Sequence, residues 1–148
     1  IITLAYLVGA SSQLLGGHLG DKGVAKTAYI LSYALKTAAL AAACVMTGWS
    51  LLLVAILVIF AFDIAAPIES LLIARYSPSG RRGLAYGFRN GLAVIGAPLG
   101  VQLVARFYNP SDHFLLVFLI LTSVAAVVMA VAFLLPRDQR PTAVKTYA

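Results

Sequence analysis

The sequence predicts an all-α fold, a polytopic bundle of five transmembrane helices. Three observations predict it. The 148 residues are 61% hydrophobic and only 11% charged, with mean hydropathy +0.95; a soluble domain is about 45–50% apolar and about 25% charged. Several apolar runs reach the ~20 residues that a spanning helix needs. The basic residues collect in polar stretches between alternate runs, the pattern that sets membrane topology. That placement also argues against nucleic acid as a partner despite the net charge of +6, because no water-facing basic patch results. The runs are too many and too spread for a signal peptide.

The elements follow in order. The first span, residues 1–19, is crowded in its second half by Gly9, Ser11, Ser12, Gln13, Gly16 and Gly17. Such residues suit a helix packed on other helices. A polar loop with Asp21, Lys22 and Lys26 leads to the second span, 27–46, which carries Lys36. Thr47 and Gly48 turn the chain, and Trp49 is placed as an interfacial anchor. The third span, 50–74, carries Asp63, Pro67 and Glu69. Pro78 and Gly80 mark the next loop. The fourth span, 83–108, carries Arg89 and many glycines. Asn109, Pro110, Ser111 and Asp112 turn the chain into the fifth span, 113–135. Residues 1–135 thus form the bundle. Pro136 closes it, and 136–148 is a basic tail.

Charge assigns the sides. Lys22, Lys26, Arg75, Arg81, Arg82, Arg137, Arg140 and Lys145 fall in two loops and the tail, whereas the opposite turns carry Arg106 alone. The tail is therefore expected in the cytoplasm and residue 1 outside. The first run also opens without methionine or a polar leader. Both features lead to the expectation of a fragment of a longer protein, whose remaining N-terminal half is itself a partner.

Ionisable groups inside spans are the candidate functional residues. An acid at the bilayer centre costs about 2.5–3.5 kcal/mol on insertion scales and usually faces a bundle interior or a watery cavity. Asp63 lies about 12 residues, or roughly 18 Å, from the loop at Arg75. Pro67, four residues on, cannot donate to the Asp63 carbonyl, so a kink or local opening is expected there. A free carbonyl beside a carboxylate suits a proton or cation site; packing of a neutralised acid is the plain alternative. Lys36 lies at similar depth, open either to a pair with Asp63 across helices or to snorkelling. Glu69 is about 600° around the helix from Asp63, a different face, so no carboxylate dyad is expected. Arg89 is open to a salt bridge, a phospholipid contact, or a cavity-lining role toward an anionic substrate. Gly83, Gly87, Gly91, Gly96 and Gly100 give the fourth span two small-residue series, expected to pack closely or to let the helix bend.

Cys44 is the single cysteine, so no internal disulfide forms, and packing is its simplest role. The sequence has no clustered metal-ligand set, no phosphate-cradling glycine loop and no Ser-His-acid arrangement. No cofactor or metal is expected, and an enzyme has little to rest on.

The stretch GGHLGDKGVAK between two helices resembles the loop signature of the major facilitator superfamily of transporters. Gly17, Asp21 and Lys22 match its spacing, Gly23 comes one place early, and Lys26 alone stands for its basic run. ARYSPSGRRGLAYGF is similar to the hairpin between helices 10 and 11 of such proteins. With four helices after the degraded signature, the resemblance implies helices 8 to 12 of a twelve-helix transporter. It further implies alternating access, with helices 8, 10 and 11 lining the cavity or its gates and 9 and 12 peripheral. Gly17, Asp21 and Lys22 would form a latch at the cytoplasmic gate.

The expected function is transmembrane transport of a small solute, proton-coupled or coupled to another ion, with a lean to drug or organic-compound efflux by antiport in the plasma (inner) membrane. The expected partners are that solute, the coupling ion and the lipid bilayer. The alternative from another class is a complete five-helix interaction or assembly subunit without transport of its own.

Overall fold

The computed structural model describes residues 2–107 and 114–135. They form five helices: α1 (Ile2–Asp21), α2 (Ala25–Ala43), α3 (Trp49–Tyr76), α4 (Arg82–Phe107) and α5 (Leu115–Phe133). A 3-10 turn at Ser79–Arg81 leads into α4. Among the described residues there is no strand, and the architecture is the all-α helix bundle that composition implied. The turn at 109–112, His113 and the tail 136–148 lie outside the described residues.

Three helices, α3, α4 and α5, are long and apolar enough to cross a membrane by length and composition. α1 and α2 spend more of their length on glycine, serine, alanine and lysine. Their partners explain this. α1 and α2 both lie along α3, and α5 lies along α2. Small side chains let backbones approach where lipid gives no hydrophobic drive between helices. The buried set is accordingly rich in alanine. Ala25 and Ala28 pack with Ile68 and Leu72 at one end of the bundle. Ala39 and Ala43 pack with Val54 at the other. Large apolar side chains point outward instead, among them Leu53, Val127 and Leu134. A soluble monomer rarely leaves so much apolar surface open; a bilayer covers it.

Local chemistry sets the ends. Gly23, at φ +76°, stops α1 in the left-handed region that glycine adopts without strain. Gly48, at φ +62°, precedes Trp49 and turns the chain into α3. Lys26, in the first turn of α2, donates from Nζ to the Phe133 carbonyl at 3.0 Å and to the Leu135 carbonyl. It thereby caps the C-terminus of α5, where free carbonyls and the helix dipole favour a cation. Ser32, buried in α2, returns its hydroxyl to the Tyr29 carbonyl at 2.8 Å, as a hydroxyl without water must.

α3 runs unbroken through Pro67, where the sequence predicted a kink or opening. Proline still lacks the N–H that would reach the Asp63 carbonyl, but the helical path continues on both sides. α1 crosses at this level. A Cβ on Gly16 would stand 2.3 Å from the Ile64 carbonyl oxygen and 2.8 Å from Pro67 Cγ. The bare backbone of α1 therefore lies directly on the proline turn.

The glycines of α4 meet no neighbour among the described residues. A Cβ on Gly83, Gly87, Gly91, Gly96 or Gly100 would meet nothing within 4 Å, and no described side chain of α4 is buried. The close glycine packing is on α1, at Gly9, Gly16 and Gly20. Spacing alone could not separate the two helices, because both carry small residues at intervals of about four.

Candidate functional site

The intramembrane charges gather at two places on different sides of α3. Asp63 and Glu69 are six positions apart, which is 240° net around a helix. The structure turns Asp63 toward α1 and Glu69 toward α2 and α4, and the two acids form no dyad.

Asp63 lies in a groove of about 680 Å³ between α1 and α3, with Tyr6, Gly9, Gln13, Ile59 and Phe62 among its walls. Its Oδ1 accepts from Gln13 Nε2 at 3.1 Å. Gly9 lies one helical turn before Gln13. A Cβ there would fall 2.5 Å from Asp63 Oδ2, so the carboxylate occupies the space that a side chain would take. Among the described residues Asp63 has no cationic partner. A half-buried carboxylate with one neutral donor, in a groove of ligand size, can take up a proton or a cation.

Glu69 is the centre of a denser cluster. Its Oε1 accepts from the hydroxyls of Tyr29 (3.2 Å) and Tyr33 (3.1 Å), both on α2. Its Oε2 accepts from Arg89 Nε (3.2 Å) and Nη2 (3.0 Å) on α4. The salt bridge open to Arg89 from the sequence is thus made. The Tyr29 and Tyr33 rings pack at a tilt of 49°, with centroids 4.8 Å apart. The cluster borders a groove of about 570 Å³ whose apolar wall includes Val128, Val131 and Leu135. Ser70, next to Glu69, accepts through its carbonyl from the Tyr86 hydroxyl of α4 at 2.7 Å.

Lys36 neither pairs with Asp63 nor snorkels away. Its Nζ lies 4.7 Å from the Tyr33 ring centroid and 4.6 Å from that of Phe62. Two aromatic faces attract an ammonium by their quadrupoles, and they hold it between α2 and α3. Depth along a helix can be counted from sequence, but the azimuth relative to a neighbour cannot. Asp63 faces α1, whereas Lys36 is on α2.

The loop signature is at the basic end. Gly17, Gly20 and Asp21 border a smaller groove of about 270 Å³ together with Pro67, Ser70 and Tyr86. The backbone N–H of Lys22 donates to the His18 carbonyl at 3.3 Å, closing the last turn of α1. A Cβ on Gly17 would meet nothing within 4 Å.

Sequence reading missed Gly9, Gln13, Tyr29, Tyr33 and Tyr86 as partners of the charges. Two signals for them were present. Gly9, Gln13, Gly16 and Gly20 share one face of α1 at helical spacing. Tyr29, Tyr33 and Lys36 follow at i, i+4 and i+7 on α2, a polar stripe on an otherwise alanine-rich helix. No group of three or more metal-ligating side chains exists among the described residues.

A family model described as Major Facilitator Superfamily matches residues 1–147. No curated protein and no solved structure gave a significant match.

Proposed function

The chain belongs to the Major Facilitator Superfamily, a family of membrane transporters, and we propose that it serves proton-coupled transport of a small organic solute by alternating access. Asp63 is the coupling acid in this reading. The observation that carries it is the setting of that carboxylate: in a groove between α1 and α3, with Gln13 its one hydrogen-bond donor among the described residues and Gly9 leaving it room. Proton uptake there removes a charge from a low-dielectric site, which changes the cost of exposing the groove to either side.

The solute leans to lipophilic organic compounds and the direction to efflux by antiport. The support is the lining of the groove, which is aliphatic and aromatic apart from Gln13 and Asp63. Arg89 serves as a gate or substrate contact. Gly17, Asp21 and Lys22 serve as a latch at the cytoplasmic gate. The charge distribution supports a cytoplasmic tail, and the plasma (inner) membrane is the proposed location. The transport unit pairs this five-helix bundle with the remaining helices of a twelve-helix protein, by rocking of one half against the other.

The test is flux in proteoliposomes holding the full-length natural chain. An imposed pH gradient should drive a panel of lipophilic cations and organic anions across the membrane, and a protonophore should abolish accumulation. Transport that ignores the pH gradient contradicts the coupling. No flux of any panel member contradicts the solute class.

A further inference from the structure

Lys36 is a charge inside a span, and among the described residues it makes no ion pair. A long basic side chain that faces lipid carries its head to the membrane surface. Lys36 is half-buried instead, with its ammonium between the rings of Tyr33 and Phe62. The two rings are held differently. Tyr33 is anchored: its hydroxyl donates to Glu69 Oε1 at 3.1 Å, and its ring packs on that of Tyr29. Phe62 is 58% exposed and belongs to neither buried cluster, yet it borders the groove of its neighbour Asp63. An aromatic side chain turns about two torsions, and little packing restrains this one. The ammonium 4.6 Å from its centroid, tethered to α2, supplies a restraint.

We propose that Lys36 is a positioning residue for the groove: braced on Tyr33, it fixes the Phe62 ring as the wall beside Asp63 and so favours solutes with an aromatic body over aliphatic ones of the same charge. This role rests on the reading of that groove as the solute site. A ring held in one orientation offers a set face or edge to a second ring, a contact that adds to plain apolar burial. A ring free to turn must be ordered by each solute, and that ordering weakens binding. An aliphatic solute has no ring geometry to match and gains little from a fixed wall. Glu69, Tyr33, Lys36 and Phe62 thus form one chain of contacts from the polar cluster of α2 and α3 to the groove.

The experiment uses the full-length natural chain, purified in detergent. Kd is measured by equilibrium dialysis for tetraphenylphosphonium and tetrabutylphosphonium. Both carry one positive charge, so the field of Lys36 acts on both and cancels in their ratio. Wild type should prefer the aromatic cation. Lys36→Met should lower that preference by about three- to tenfold, Phe62→Leu by at least as much, and Lys36→Arg should keep it. In a Phe62→Leu background Lys36→Met should lower it no further, because Lys36 acts through the ring. With 4-fluorophenylalanine at position 62, the fluorine resonance should be single and narrow in wild type, and shifted and broadened in Lys36→Met. Thermal unfolding checks that folded proteins are compared, and Phe62→Leu, at an exposed position, tests the wall if Lys36→Met does not fold. A preference that survives Lys36→Met or Phe62→Leu, a further loss in the double variant, or a fluorine resonance unchanged by Lys36→Met overturns the proposal alone. Binding of neither probe by wild type, or binding of both unaltered by Asp63→Asn, contradicts the groove as the solute site and the role of Lys36 with it.

Discussion

Gln13 Nε2 donates to Asp63 Oδ1 across the α1–α3 interface at 3.1 Å, and Gly9 leaves the other carboxylate oxygen its space. This contact fixes a membrane acid by a neutral amide and a missing side chain. Gly9→Ala should therefore displace the carboxylate, because the added methyl would stand 2.5 Å from Oδ2. A carboxylate end can rotate away, so folding should survive. Transport should fall by about tenfold or more, equivalent to at least about 1.4 kcal/mol. Flux assays on the purified variant, normalised to folded protein, check it.

Gly16 separates packing from function. Its added methyl would meet the Ile64 carbonyl oxygen at 2.3 Å and Pro67 Cγ at 2.8 Å. Backbone cannot rotate away, so Gly16→Ala should destabilise the protein by about 1–3 kcal/mol. Gly20→Ala, 3.0 Å from the flexible Leu71 Cδ2, should cost less. Thermal unfolding in detergent should rank them in that order.

Gly87→Ala and Gly91→Ala should behave oppositely. Nothing within 4 Å opposes either methyl, and alanine is favoured over glycine in a helix interior by about 0.8–1.0 kcal/mol. Stability of the helix bundle should be unchanged or slightly higher. A loss comparable to Gly16→Ala would place a packing contact on α4 that the structure lacks.

Lys36 should be energetically independent of Asp63. Its partners are the Tyr33 and Phe62 rings. In a double-mutant cycle of Lys36→Met with Asp63→Asn, the stability changes should add to within about 0.5 kcal/mol. A buried ion pair would instead show strong coupling, since loss of either partner strands the other and costs about 3–5 kcal/mol.

These contrasts mark what a sequence carries. Five helices were legible, because apolar run length and the glycines at 23 and 48 are local properties. The different faces of Asp63 and Glu69 were legible too, because both lie on one helix and 100° per residue fixes their relation. Relations between helices were not. Lys36 matches Asp63 in depth, yet α2 turns it to Phe62 and Tyr33. The glycines of α1 and α4 have similar spacing, yet only those of α1 meet a neighbour. The Glu69 cluster draws on three helices, so no single stretch of sequence announces it.

The most direct measurement compares two modes of flux for wild type and Asp63→Asn in proteoliposomes: exchange of labelled for unlabelled solute at equal pH, and uphill accumulation driven by a pH gradient. Asn keeps the Gln13 contact geometry but cannot bind or release a proton. The variant should retain exchange and lose accumulation. Accumulation equal to wild type would show that Asp63 is not the coupling acid and would contradict the account at its centre.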